Sequence, residues 1–94
     1  MPDKSVRVVI EGRVQGVWYR GWTVEQAQQR GIRGWIRNLP NGNVEALFSG
    51  SDLAVDEMIN VCRGGPPMAN VISLSEHPAE PPDGEGFHSL RSGV

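Results

Sequence analysis

The 94-residue sequence holds one cysteine, Cys62, and two histidines, His77 and His88. A lone thiol closes no intrachain disulfide, and a metal cluster needs several Cys or His at short spacing, so a disulfide scaffold and a structural zinc site are both excluded. Long apolar runs are missing too, since no segment approaches the roughly 18 to 20 residues that cross a bilayer. Behind Met1-Pro2-Asp3-Lys4-Ser5 there is no apolar stretch of the signal-peptide kind. With the unpaired Cys62, that sets a cytoplasmic location as the expectation. The hydrophobic fraction of 38% and charged fraction of 21% suit an ordinary globular protein, and the length suits one domain over residues 1–94, expected as a monomer.

Lysine is scarce: eight of the nine basic residues are arginine. The net charge of −2 hides an asymmetry, because Lys4, Arg7, Arg13, Arg20, Arg30, Arg33 and Arg37 face only Asp3, Glu11 and Glu25 in residues 1–37, whereas eight acids follow. An anionic ligand would favour the N-terminal part. Arginine's planar fork suits phosphate and carboxylate, although ordinary surface charge accounts for most of these side chains.

Val6, Val8 and Ile10 alternate with Arg7, Val9 and Glu11, which predicts a strand ending at Gly12. A helix is expected over about 21–30, with Val24, Ala27 and Gln28 at helical spacing and Gly31 as a left-handed cap. Strands follow at 32–38 and 44–49, and Asn41-Gly42 between them predicts a tight hairpin turn with positive φ at both central residues. Ser51 or Asp52 can cap a second helix, whose Val55, Met58, Ile59 and Cys62 form a buried stripe ended by Gly64-Gly65-Pro66-Pro67. A fourth strand is read at 71–75 and a short fifth at 87–91, joined by an exposed loop rich in Pro, Gly and acid. The order is α+β: the split βαβ, ferredoxin-like sandwich, βαββαβ plus a short C-terminal strand, with two helices on one face of an antiparallel sheet.

Between the first strand and first helix lies Gly12-Arg13-Val14-Gln15-Gly16-Val17-Trp18-Tyr19-Arg20. Backbone N–H groups without helical partners can converge on an anion there, the glycines ease the turn, and Arg20 adds a permanent charge. Gly-x-x-x-Gly followed by Arg is by itself a weak signal. The whole string, however, resembles the G-x-V-Q-G-V-x-[FY]-R signature of acylphosphatases at every specified position. A second stretch, Gly34-Trp35-Ile36-Arg37-Asn38-Leu39-Pro40-Asn41-Gly42-Asn43-Val44, is similar to that family's second motif, with Ile36 where Val, Ala or Cys is usual. The similarity continues through Gly65-Pro66-Pro67-Met68-Ala69-Asn70-Val71 and the strand containing Phe87.

The resemblance implies hydrolysis of acyl phosphates without metal or cofactor. It assigns phosphate binding to Arg20 and the loop residues Gln15, Gly16, Val17, Trp18 and Tyr19, and positioning of the attacking water to Asn38. Inorganic phosphate is then product and inhibitor. Without the family, Asn38 reads as a turn residue before Leu39-Pro40. Both histidines read as solvated or structural, Trp35 as core, Trp18 and Trp22 as pocket walls or packing, and Glu11 as a surface acid. Nucleic acid is excluded as a partner by the net acidic chain and by a third strand lacking the glycine-aromatic RNA-binding signature. The alternative function is a non-catalytic module that binds phosphate or carbamoyl phosphate, as occurs inside larger maturation enzymes. The C-terminal Leu90-Arg91-Ser92-Gly93-Val94 lacks the aromatic residue with which many relatives finish, so the resemblance does not by itself imply a contact from that end to the pocket.

Overall fold

The computed structural model describes residues 3–90. Within them the chain runs β1 (Asp3–Arg13), α1 (Tyr19–Gln29), β2 (Arg33–Asn38), β3 (Val44–Ser51), α2 (Asp52–Gly64), β4 (Asn70–Pro78) and β5 (Phe87–Ser89). The strands form one sheet in the order β4-β1-β3-β2-β5. This is the ferredoxin-like arrangement, with one refinement: β5 lies parallel to β2 and makes the sheet mixed, while every other pairing is antiparallel. The turn from the β4–β5 loop brings β5 to the outer edge of β2 in that direction, anchored where the Gly34 amide donates to the Gly86 carbonyl at 3.0 Å. Arg91, the last residue of the predicted fifth strand, lies outside the described residues.

Period-two alternation decides the core. Val8 and Ile10 of β1, Ile36 of β2, and Val44, Ala46 and Phe48 of β3 are fully buried beneath the helices. Phe48 stacks on Phe87 of β5 at a ring separation of 5.6 Å. Helix α2 contributes Val55, Met58, Ile59 and Cys62, the stripe expected from spacing. Helix α1 contributes Tyr19, Thr23 and Ala27, an i, i+4, i+8 row that centres the inward face away from Val24, which is only half-buried, and Gln28, which is exposed. Its end is as expected: the Ile32 amide donates to Ala27 and the Gly31 amide to Gln28, the paired bonds of a Schellman cap.

Trp35 departs from expectation. Its neighbours Gly34 and Ile36 are buried, so the pleat turns Trp35 to the opposite sheet face, where the Arg37 guanidinium lies 5.5 Å from its ring. On that face Glu45 is nearly buried and paired with both Arg7 at 2.9 Å and Arg37 at 2.7 Å, which offsets the desolvation of the carboxylate. The hairpin is also wider than predicted. Five residues link β2 to β3; Gly42 donates to Leu39, Asn43 to the Asn41 side chain, and Asn41 keeps a negative φ. Pro40 sets φ near about −65° at the first central position, which favours a type I turn over the mirror-image turn that Asn-Gly alone suggests.

Candidate active site

The segment between β1 and α1 is held open by its sequence. At its start Gly12 has φ of +132°, and a Cβ there would meet the Asn70 carbonyl oxygen at 2.1 Å, so β1 and β4 approach at this bulge only with glycine. Val14 then plugs into the core with 1% exposure. Gly16 turns the chain at φ +73°. Trp18 follows in the left-handed region at φ 64°, ψ 23°, the one non-glycine residue with positive φ among the described residues. Such a conformation is strained for a bulky side chain. Here it is held by packing, because the indole folds back onto Gly21, where an added Cβ would meet Nε1 at 2.2 Å.

The consequence is a helix start with nothing closing it. Helix α1 has no side-chain cap and no acid in its first turn. Among the described residues, none of the backbone amides from Gln15 to Gly21 donates to a protein acceptor; the first that does is Trp22, to the Trp18 carbonyl at 3.0 Å. These amides and the positive end of the helix dipole face a cleft of about 190 Å³ lined by residues that include Gly16, Trp18, Arg20 and Asn38. Such a cleft favours a compact anion.

Arg20 lies on the first turn of α1, and its guanidinium is aimed by the far end of the chain. Nη1 donates to the Leu90 carbonyl at 3.1 Å and lies 3.4 Å from Ser89 Oγ, which leaves the remaining N–H groups of the fork for a ligand. Asn38, the last residue of β2, lines the same cleft, and its Oδ1 is buried without a hydrogen-bond partner. An unpaired buried amide oxygen costs about 1–3 kcal/mol, which a water donating to it would offset.

A family model described as Acylphosphatase matches residues 6–89. An acylphosphatase of Rhodospirillum rubrum is 55% identical over 84 residues, covering 89% of this chain and 92% of that one. One from Haloquadratum walsbyi is 48% identical over 84 residues, covering 89% and 90%. The chain belongs to the acylphosphatase family. Among solved structures, an acylphosphatase from Bacillus subtilis superposes with a TM-score of 0.86 at 29% identity, covering 92% of this chain and 97% of that one. As an acylphosphatase the chain is a hydrolase of small acyl phosphates, and Ile36, its departure from the usual second motif, is a fully buried core residue that is not itself part of the cleft lining.

Within the acylphosphatase signature the residues expected to bind phosphate carry side chains of two kinds. Gly16, Trp18 and Arg20 line the cleft, whereas the Gln15 and Tyr19 side chains are turned to other partners, even though both residues border it. Tyr19 is 1% exposed, donates to the Cys62 carbonyl at 2.6 Å, and so ties the start of α1 to the end of α2. Burial, and then Cys62, raise its pKa, and burial pushes the Cys62 thiol up to about 12, so both stay protonated and serve packing rather than chemistry. Val17 is half-buried against the core and absent from the cleft lining. Trp22 packs against Tyr19 with ring centroids 5.6 Å apart. Sequence reading missed the Ser89 and Leu90 contacts to Arg20; β5 carries no motif, and only its pairing beside β2 brings it there.

Proposed function

We propose that this acylphosphatase works by in-line attack of a water held by Asn38 on a phosphoryl group bound by Arg20 and the loop amides of residues 15–20. One observation carries the reading: undonated loop amides, the Arg20 guanidinium and Asn38 border a single cleft. The substrate's carboxylate is a weak base and departs without a general acid. A loose phosphoryl transition state mainly needs positioning and charge stabilisation, which a fixed guanidinium and preorganised N–H groups supply. Each such donor contributes on the order of 100- to 1,000-fold in rate, adequate without a metal or cofactor. A phosphate oxygen of the substrate accepts the water's proton. The proposal extends to a cytoplasmic monomer with inorganic phosphate as product and competitive inhibitor.

The test is hydrolysis of acetyl phosphate in the presence of a chelator, with phosphate inhibition measured alongside. Asn38→Ala is expected to remove nearly all turnover, leaving a small residual rate, with phosphate inhibition nearly intact, whereas Arg20→Ala weakens both. Equal loss of phosphate binding in the two variants would overturn the division of roles. Absence of turnover in the unmodified protein would overturn the reaction itself.

A further inference from the structure

Gln15 stands inside the phosphate loop, yet its side chain makes no use of that position. Both hydrogens of its amide are directed across 24 and 28 residues of sequence, to the Leu39 carbonyl at 2.9 Å and the Asn43 carbonyl at 2.8 Å. These two carbonyls are the ones that close the β2–β3 turn: Asn43 accepts from the Leu39 amide at 2.8 Å, and Leu39 accepts from the Gly42 amide at 3.2 Å. Gln15 therefore grips the turn at its neck, one residue beyond Asn38. Glu11 meets the same turn more loosely, accepting from Asn43 Nδ2 at 3.4 Å. The last β1–β3 rung, Ile10 to Val44, is left behind before the loop begins.

We infer that Gln15 is the positioning residue of the site, holding Asn38 at a fixed distance from the phosphate-binding amides through its two bonds to the hairpin neck. This rests on the proposed roles of Asn38 and the loop. The phosphate is held by α1 and its loop, the water by the end of β2, and attack requires the two to be in line. A displacement of about 1 Å between reacting groups costs on the order of 100-fold in rate. Gln15 joins the two halves with a side chain whose donors have no other acceptor to serve. Its backbone stays in the loop, so loss of the side-chain amide should misplace water without emptying the phosphate site.

The experiment is a double-mutant cycle in acetyl phosphate hydrolysis. Gln15→Met keeps the length of the side chain and removes both donors. It is expected to lower kcat by about 10- to 100-fold while the inhibition constant for inorganic phosphate stays within about twofold. In an Asn38→Ala background the same substitution should change the residual rate by less than about twofold, because the group that Gln15 positions is already gone. A full-sized loss in that background, or a rise in the phosphate inhibition constant matching the loss in kcat, would overturn the proposal. Gln15→Asn, one methylene too short to reach both carbonyls, is read in the same cycle and decides the matter if Gln15→Met does not fold. An unmodified protein without turnover sinks the reaction scheme and this proposal with it. An active protein whose Gln15 variants keep full kcat sinks this proposal alone.

Discussion

The two helices lie side by side on one sheet face, and their N-terminal ends are built in opposite ways. Helix α2 is closed by its own sequence: Ser51 Oγ accepts from the Ala54 amide at 3.2 Å, and Asp52 occupies the first turn. Its dipole is answered within the chain. Helix α1 begins at a tryptophan in the left-handed region, without cap or acid, and its first carried charge is the cation Arg20. A positive helix end beside a guanidinium is unfavourable in isolation. The chain tolerates it because the Tyr19 bond to Cys62 and the packing of Val14 fix that end from below. The difference teaches where to look for function in a small fold: at the element end that stability alone would have closed.

The contrast can be broken from the α1 side with the largest effect. Trp18→Asp would place a carboxylate at the open helix start, relieve the strained φ, and compete with phosphate for the amides. We expect kcat/KM for acetyl phosphate to fall by at least about tenfold, with unfolding stability maintained or raised. Unchanged phosphate inhibition in that variant would mean the amides are not the anion site.

Where the two helices meet, alkaline pH supplies a second test. The Cys62 thiol ionises near 9.0 when exposed but is pushed up to about 12 by burial, so between those values the folded state holds the extra proton. The resulting stability is complete below about pH 9 and declines as pH rises towards 12. Tyr19 and Lys4, the latter raised chiefly by its bond to Asp56, add slopes of the same sign. Cys62→Ala should flatten the fall in urea midpoint between pH 9 and 12; an unaltered slope would remove the thiol from the explanation. The smallest effect belongs to the closed helix. Ser51→Ala should lower stability by about 0.5–2 kcal/mol and leave kcat/KM unaltered, as read by denaturant midpoint and initial rates. A loss of activity in that variant would erase the distinction between the two ends.

Much of this was legible before any coordinates. Alternation names Val8 and Ile10, helical spacing names the α2 stripe, and two separate motifs point to Arg20 and Asn38, which the fold brings to one cleft. What sequence could not reveal follows physical lines. The α1 stripe is hard to read because its row of Tyr19, Thr23 and Ala27 opens before the predicted helix and contains a polar residue, so apolar spacing alone does not pick it out. Alternation alone does not say which parity of β2 faces inward, and it allows Ile36 or Trp35 inside and never both, so Trp35 reads as core until the sheet is assembled. The side-chain directions of Gln15 and Tyr19 are not legible, because a motif records which residues belong together and not which way each side chain turns. The Leu90 contact was invisible since a backbone carbonyl is the same in every residue.

That contact has a consequence in time. Arg20 and its carbonyl acceptor are 70 residues apart, so the guanidinium waits for nearly the entire chain before anything aims it. Contacts so distant in sequence form late, after the entropy of closing the intervening loop has been met. Hydrolytic activity during refolding should therefore lag behind helix formation and rise with the docking of β5 beside β2, which makes turnover a reporter of that docking.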